Sequence, residues 1–311
     1  MEKLDRLKSL FKNTDKTVYK RCRNCIVMLE KLEDTLTNES RKNIVNKLYA
    51  KFRADKLLVK KIVNIRTLKE LTEVTNFVFE SNFNNKLKYV VGQIVSVDNY
   101  DMNLETVCSQ GIHYFLTLER AYYHCNNTIK NGLFLMWFDD GQQLEKSNFI
   151  DGKLNGKHEK WHHNGQKNVD ANYVNNKLDG KYEEWFETGQ KKWEKTYVRG
   201  KLNGKCESWY ENGQKETECD YIENKLKGKR ESWYENGQKG IECNYIEGKL
   251  NGKFEEWYKN GQKAIECNYI EDKLNGKIEE WHENGVKYVD AEYYYGKCKF
   301  YNSWNENGIP L

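Results

Sequence analysis

From residue 128 onward, apolar and polar positions alternate in short runs. After Trp209, Lys215, Thr217, Cys219 and Tyr221 share one parity, and Glu216, Glu218 and Asp220 share the other. The same pattern places Ile265, Cys267 and Tyr269 after Trp257, Val169, Ala171 and Tyr173 after Trp161, and Val289, Ala291 and Tyr293 after Trp281. A period of two predicts strands with one apolar face. The runs are too short and too rich in Tyr, Trp, Phe and Ile for helices, and Asn-Gly between them marks hairpins. The pattern is also copied. Trp137, Trp161, Trp185, Trp209, Trp233, Trp257 and Trp281 lie 24 residues apart, Trp304 follows after 23, and each stands four residues before a glycine. A fixed period of this size predicts an array of about eight hairpins, numbered here by their tryptophans. Glycine recurs at two repeat positions, read as one in each turn.

The apolar parity also fixes a register, because a one-residue slip exchanges the faces of a strand. A two-residue loop pairs Trp209 with Glu216, on the acidic side. A three-residue loop, Glu211-Asn212-Gly213, pairs Trp209 with Lys215 and predicts a type I turn closed by a left-handed, bulged glycine. In this reading Trp, the aliphatic residue, the small residue and Tyr share one face, with lysine stems in cation–π reach of the indoles. The acidic row Asp170, Glu194, Glu218, Glu242, Glu266 and Asp290 takes the opposite face, together with a second aromatic row, Phe186, Tyr210, Tyr234 and Tyr258. The expected product is a single-layer antiparallel sheet of about sixteen strands, with Pro310 placed to blunt one edge.

The first 127 residues differ. In residues 1–75 the apolar positions Val18, Cys22, Cys25, Met28, Leu29, Leu32 and Leu36 follow three-four spacing and predict a helix over 16–36. Further helices are expected over 41–65 and 67–79. Residues 76–127 read as a strand or two around Gly92, then strand, turn and a short helix capped by Thr117. The expected class is thus mixed: an N-terminal α-helical region (1–75), a small α+β module (76–127) and an elongated all-β array (128–311).

Charge and reactive residues narrow the chemistry. Mean hydropathy is -0.95 with 14% aromatics. That excludes a disordered chain, and no apolar run reaches the roughly 20 residues of a membrane helix. The N-terminus lacks the apolar core of a signal peptide, so an intracellular protein is expected. Residues 1–75 carry 19 Lys and Arg against 10 Asp and Glu, and the remainder carries 32 against 37. The basic head makes Arg21, Arg23, Lys60 and Lys61 a candidate patch for an anionic membrane surface; nucleic acid is the weaker partner, since no recognition motif is present. The nine cysteines lack framework spacing. Cys22 and Cys25 share a face of the expected helix. Cys219, Cys243 and Cys267 recur every 24 residues as small filler, too far apart for disulfides. His113 lies in an apolar strand and reads as a core or turn-bonding histidine. His162 and His163 are adjacent and point to opposite faces of a strand. No catalytic residue, cofactor or metal site is expected.

The unit G-K-x-E-x-W-x-x-N-G-Q-K-x-x-E-x-x-Y-x-x-x-K-L-N resembles the MORN repeat, in the longer variant of bacterial and large-DNA-virus proteins. The resemblance covers about 128–311. Thr188 and Lys227 stand where Asn precedes a glycine, and the last repeat is short. The segment CSQGIHYFLTLERAYYH resembles a small module that accompanies such repeats in giant-virus proteins. The resemblance implies a hairpin array acting as an interaction platform, often dimerising, in a viral setting (host cytoplasm or virion), and it implies no catalytic residues. The expected function is a non-catalytic scaffold for a protein partner, a second copy included. Its candidate face holds the eight tryptophans with Tyr173, Tyr197, Tyr221, Tyr245, Tyr269 and Tyr293; the alternative is peripheral binding to anionic lipid through the basic head.

Overall fold

The structure is a computed structural model that describes residues 2–77, 86–125 and 129–311. The chain divides into two compact units, Met1–Lys153 with His163–Gly165, and Leu154–His162 with Gln166–Leu311.

The first unit opens with helix α1 (Glu2–Leu10). Strands follow: β1 (Thr17–Cys22), β2 (Cys25–Glu30), β3 (Lys51–Ala54), β4 (Lys56–Asn64), β5 (Glu70–Leu71), β6 (Glu73–Phe77), β7 (Lys86–Val90), β8 (Ile94–Ser96) and β9 (Ile112–Phe115), then helix α2 (Leu118–Tyr123). Seven of the strands form one sheet in the order β3-β9-β1-β2-β4-β5, with β8 beside β4, while β6 and β7 pair separately.

The helices expected over 16–36, 41–65 and 67–79 are therefore corrected to strands and loops; Val78 and Phe79, at the end of the third, lie outside the described residues. Two physical causes produced the helical signal. In β2 both faces are covered: Cys25, Val27 and Leu29 join one core cluster, Ile26 and Met28 the other. A continuous apolar run of this kind has no period that separates strand from helix. In β4 the register to β2 shifts, with Met28 opposite Lys61 and Leu29 opposite Val59. The extra residue, Lys60, stretches the spacing of buried Val59, Ile62 and Val63 to that of a helix face. Cys22 and Cys25 do not share a helix face; they oppose each other across the turn that joins β1 to β2, with Arg23 left-handed at φ 53.

The 76–127 readings hold: β7 and β8 flank Gly92, and Thr117 caps α2 by accepting from the Arg120 amide. Sequence gave no sign of Arg53, which is fully buried. Its Nε donates to the Thr106 carbonyl at 2.9 Å, and its Nη atoms donate to the carbonyls of Asp101, Asn103 and Gln110. One guanidinium thus satisfies carbonyls along a segment that has no ladder of its own.

From Gly132 to Ser303 the strands form a 16-stranded antiparallel sheet whose order follows the chain. In the fourth repeat, Lys201–Trp209 pairs with Lys215–Ile222. Trp209 lies opposite Lys215, as the parity argument requires. The loop has three residues: the Gly213 amide donates to the Tyr210 carbonyl at 2.9 Å, the Tyr210 amide donates to the Gln214 carbonyl at 2.9 Å, and Gly213 has φ 84. This is the expected type I turn closed by a left-handed glycine. The second turn is tighter. Val174 pairs with Lys177, so only Asn175 and Asn176 form the loop, both left-handed at φ 52 and 65. The second glycine position is corrected accordingly. Gly180 and its equivalents stand inside strands, at the point where Tyr173 shifts its register to Leu178.

Successive turns are stapled by asparagine. Asn212 Oδ1 accepts from the Gln214 amide within its own turn, while Nδ2 donates to the Glu235 carbonyl of the next, both at 2.9 Å. Asn236 and Asn260 repeat the outward bond to Lys259 and Glu283. Thr188 has no amide with which to do so. Thr188→Asn is therefore expected to raise the unfolding free energy by about 1 kcal/mol, read from the urea midpoint; an unchanged or lower midpoint contradicts the staple.

Candidate interaction faces

The face assignment is where structure and sequence part. Ser208 lies opposite Thr217, yet Trp209 lies opposite Lys215. Glu216 is thus an extra residue within the strand, a bulge that breaks the alternation between Lys215 and Thr217. Lys215 stays with Trp209, and everything from Thr217 onward changes side. The expected single Trp/Tyr face is corrected: the tryptophans share a face with the acidic row, and Tyr173, Tyr197, Tyr221, Tyr245, Tyr269 and Tyr293 occupy the other.

On the tryptophan face the second to seventh repeats each close a four-charge ring. Lys215 Nζ lies 2.7 Å from Glu207 and 2.5 Å from Glu218, and Lys205 Nζ reaches the same two carboxylates at 3.0 Å each. Lys181, Lys191, Glu183 and Glu194 do the same one repeat earlier, and Lys229, Lys239, Glu231 and Glu242 one repeat later. Lysines bridge successive indoles: Lys191 Nζ stands 6.0 Å from the Trp185 ring centre and 5.9 Å from that of Trp209. Each ring carries no net charge. Near the second turns the same face shows an aliphatic row the sequence reading missed, Val174, Val198, Ile222 and Ile246, each 45–59% exposed. Its signal is the apolar residue that follows each tyrosine.

On the tyrosine face, half-buried rings lie beside small residues. Ala171, Cys219, Cys243, Cys267 and Ala291 are buried, which is the filler role expected of the repeating cysteines. Tyr269 meets Phe254 edge-on at 5.8 Å, and Tyr197 meets Tyr182 at 6.3 Å. The second aromatic row belongs here too, not beside the acidic row: Lys192 reaches both Glu184 and the Phe186 ring, and Glu184 accepts from Tyr182. That row ties repeats together. Tyr210, Tyr234 and Tyr258 each donate a hydroxyl to the carbonyl of the next repeat's tryptophan, at 2.8–2.9 Å. His162 and His282 make the same reach to Trp185 and Trp304. Phe186 has no polar atom for it.

The remaining candidates disperse. Trp137 is buried in the first unit, stacked on Tyr49 at 4.7 Å and flanked by Arg120. Trp304 bonds the Tyr288 carbonyl through its amide. Of the basic patch, Arg21 donates to the carbonyls of Arg23 and Tyr122, Lys60 pairs with Glu30 at 3.7 Å, and Lys61 pairs with Glu70 at 2.6 Å. Arg23 is an exposed turn residue. His113 Nε2 contacts the Val107 carbonyl at 3.0 Å, and burial next to Lys51 and Lys20 lowers its pKa to about 3, which keeps it neutral. Burial raises the Cys22 thiol to about 11. Among the described residues no group of three or more His, Cys, Asp or Glu is arranged to hold a metal, and no helix is long and apolar enough to cross a membrane.

Two predictions follow from these geometries. Tyr234→Phe is expected to cost about 1 kcal/mol and Phe186→Tyr to add a similar amount; equal denaturation midpoints for all three proteins count against the hydroxyl bond. Hydrogen bonds from Lys215, Lys239 and Lys263 hold Glu218, Glu242 and Glu266 below the usual glutamate range. Their folded-state pKa values lie under the unfolded value of about 4.3, so their stabilisation is complete above that value and is lost as pH falls through the folded values. The melting temperature should hold steady down to about pH 5 and fall below about pH 4. Glu218→Gln with Glu242→Gln should flatten that acid slope.

The family described as MORN repeat variant matches residues 202–223 and 250–271, each match spanning one hairpin of the array. A family of unknown function (DUF5758) matches residues 8–121, within the first unit. No curated protein matches the chain. The array is thus similar to MORN repeats, and the first unit is similar to a family to which no activity is attached.

Proposed function

We propose that the chain is a non-catalytic scaffold whose hairpin array receives a protein partner on its tyrosine face. One observation carries this reading. Along its strands the tryptophan face is filled by the closed charge rings of the second to seventh repeats, with aliphatic side chains only beside the second turns, whereas the strands of the tyrosine face present half-buried aromatic and aliphatic side chains with, among the described residues, no second layer of the same unit laid over them. Single-layer sheets of this composition gain by covering that face, since most domains bury a core between two layers. Tyrosine also serves contact surfaces well, as a large rigid ring with a polar tip.

The alternative, docking of the basic head on anionic lipid, loses support because Arg21, Lys60 and Lys61 are already committed to partners within the chain. Catalysis also has little to rest on. Of the four histidines in the repeats, His162 and His282 hold backbone carbonyls, His158 packs edge-on against Tyr173 and His163 lies 3.0 Å from Asp140, and the carboxylates of the acidic row are each held by two lysines.

Photo-crosslinking tests the reading. A photoreactive phenylalanine analogue placed at Tyr221 or Tyr245 of the full chain is expected to capture a protein, and the same analogue at Asp220, on the tryptophan face, is not. Equal capture from both faces, or none from either in a folded protein, overturns it.

A further inference from the structure

The fourth repeat departs from its neighbours at one cross-strand position of the tyrosine face. Cys206 lies directly opposite Cys219, and both are buried. In the second, third, fifth, sixth and seventh repeats the place of Cys206 is taken by His158, Tyr182, Arg230, Phe254 and Ile278. Among these repeats only the fourth sets thiol against thiol. Directly opposed residues of an antiparallel pair have Cα atoms about 4.5–5.5 Å apart, within the range of about 4.4–6.8 Å that a disulfide spans. Cys219 Sγ lies 3.8 Å from the Cys206 carbonyl oxygen. Cys219 and Cys243, by contrast, stand two strands apart with Arg230 between them. The repeat period hides the pair, because Cys206 belongs to no 24-residue series.

The neighbours of the pair change its chemistry. Lys195 lies opposite Cys206 on one side and Arg230 opposite Cys219 on the other, so one row across four strands reads Lys195, Cys206, Cys219, Arg230. Lys195 stands where the other repeats from the second to the seventh carry Ala or Cys. The carboxylate next in sequence, Glu207, is turned to the opposite face and held by Lys205 and Lys215. A hydrogen bond between the two thiols lowers the pKa of Cys206 and raises that of Cys219, and the charge of Lys195 lowers Cys206 further. Burial without a cation does the opposite, pushing the Cys267 thiol up to about 11. The thiolate is the reactive form of cysteine, and adjacent cations favour it. Cys206 keeps 6% of its surface open against 3% for Cys219, so it is the first of the two to meet a small oxidant.

We propose that Cys206 and Cys219 form a redox-active dithiol that a peroxide oxidises to a cross-strand disulfide. The Cys206 thiolate attacks one peroxide oxygen, the O–O bond breaks, and the other oxygen leaves as hydroxide and takes up a proton to become water. Cys206 is then a sulfenic acid. The Cys219 sulfur attacks the Cys206 sulfur, the S–O bond breaks, and the hydroxyl leaves with the Cys219 proton as a second water. The two thiols give up two electrons and two protons, and the peroxide receives them. The bridge ties the two strands of the fourth hairpin covalently, and it needs no protein partner on the tyrosine face.

Peptide mapping of the native full chain tests it and needs no variant. After treatment with hydrogen peroxide, blocking of the remaining thiols and digestion without reductant, a peptide linking Cys206 to Cys219 should appear and should vanish with dithiothreitol. Cys243 and Cys267 should remain thiols that alkylate once the chain is unfolded. Two variants, each first checked for a cooperative melt, resolve the steps. In Cys219→Ser the sulfenic acid has no resolving thiol, so dimedone should label Cys206. Lys195→Gln with Arg230→Gln should slow formation of the link at least about threefold, because less of the dithiol is thiolate. Cys206 and Cys219 that stay reduced while the exposed Cys108 and Cys298 oxidise overturn the proposal. So does a link that forms only after unfolding, or an unchanged rate in the folded variant without the two cations.

Discussion

One additional residue in the second strand of each hairpin decides what both faces of the array are made of. The bulge lets the first residue of that strand, Lys215 in the fourth repeat, remain beside Trp209 while the rest of the strand turns over. The lysine can then do two things at once. It stands on the indole side of the sheet, where the equivalent Lys191 lies within reach of two tryptophan rings, and its ammonium reaches two carboxylates that would otherwise repel each other across the strands at 207 and 218. Without the bulge the lysine would stand among Cys219 and Tyr221, where its charge would have no partner and its desolvation would go uncompensated. The left-handed glycine that closes the turn serves the same end, since it sets the chain direction from which the bulge develops.

A single layer of sheet cannot be held by a core in the ordinary sense, and the array compensates through bonds between side chains and backbone of adjacent repeats. Asparagine amides join turn to turn. Tyrosine and histidine tips join one repeat to the tryptophan carbonyl of the next. Lysine ammonium groups lie beside the indoles, that of Lys191 between two consecutive ones. Each of these contacts is local, so stability accumulates repeat by repeat and each interface contributes its own share. The first unit is built on the opposite plan. Its sheet is covered on two faces, and a buried arginine organises the irregular segment around Asp101 and Asn103.

Much of this was legible in the sequence, and the reasons for the failures are physical. The repeat period, the strand count, the three-residue turn and the Trp209–Lys215 pairing follow from turn chemistry and alternation, which act over a few residues. The Thr117 cap and the strands around Gly92 are equally local. The face swap was missed because Glu216 was counted as part of an unbroken alternation, and a bulge inside a strand leaves no mark on composition. The N-terminal strands were missed because β2 is apolar on both sides and the extra residue at Lys60 imitates helical spacing. The roles of Arg53 and of the tyrosine tips depend on carbonyls distant in sequence, and no pattern of side chains announces them.

Two of the substitutions that break the repeat consensus coincide in the third turn: Phe186 has no hydroxyl for the Trp209 carbonyl, and Thr188 has no amide for the Glu211 carbonyl. In a stack bound by nearest-neighbour contacts, a weak interface divides the whole into separately cooperative blocks. The seam between the third and fourth repeats is thus the natural boundary between two folding units of the array, and strain imposed on the sheet should find its release there first.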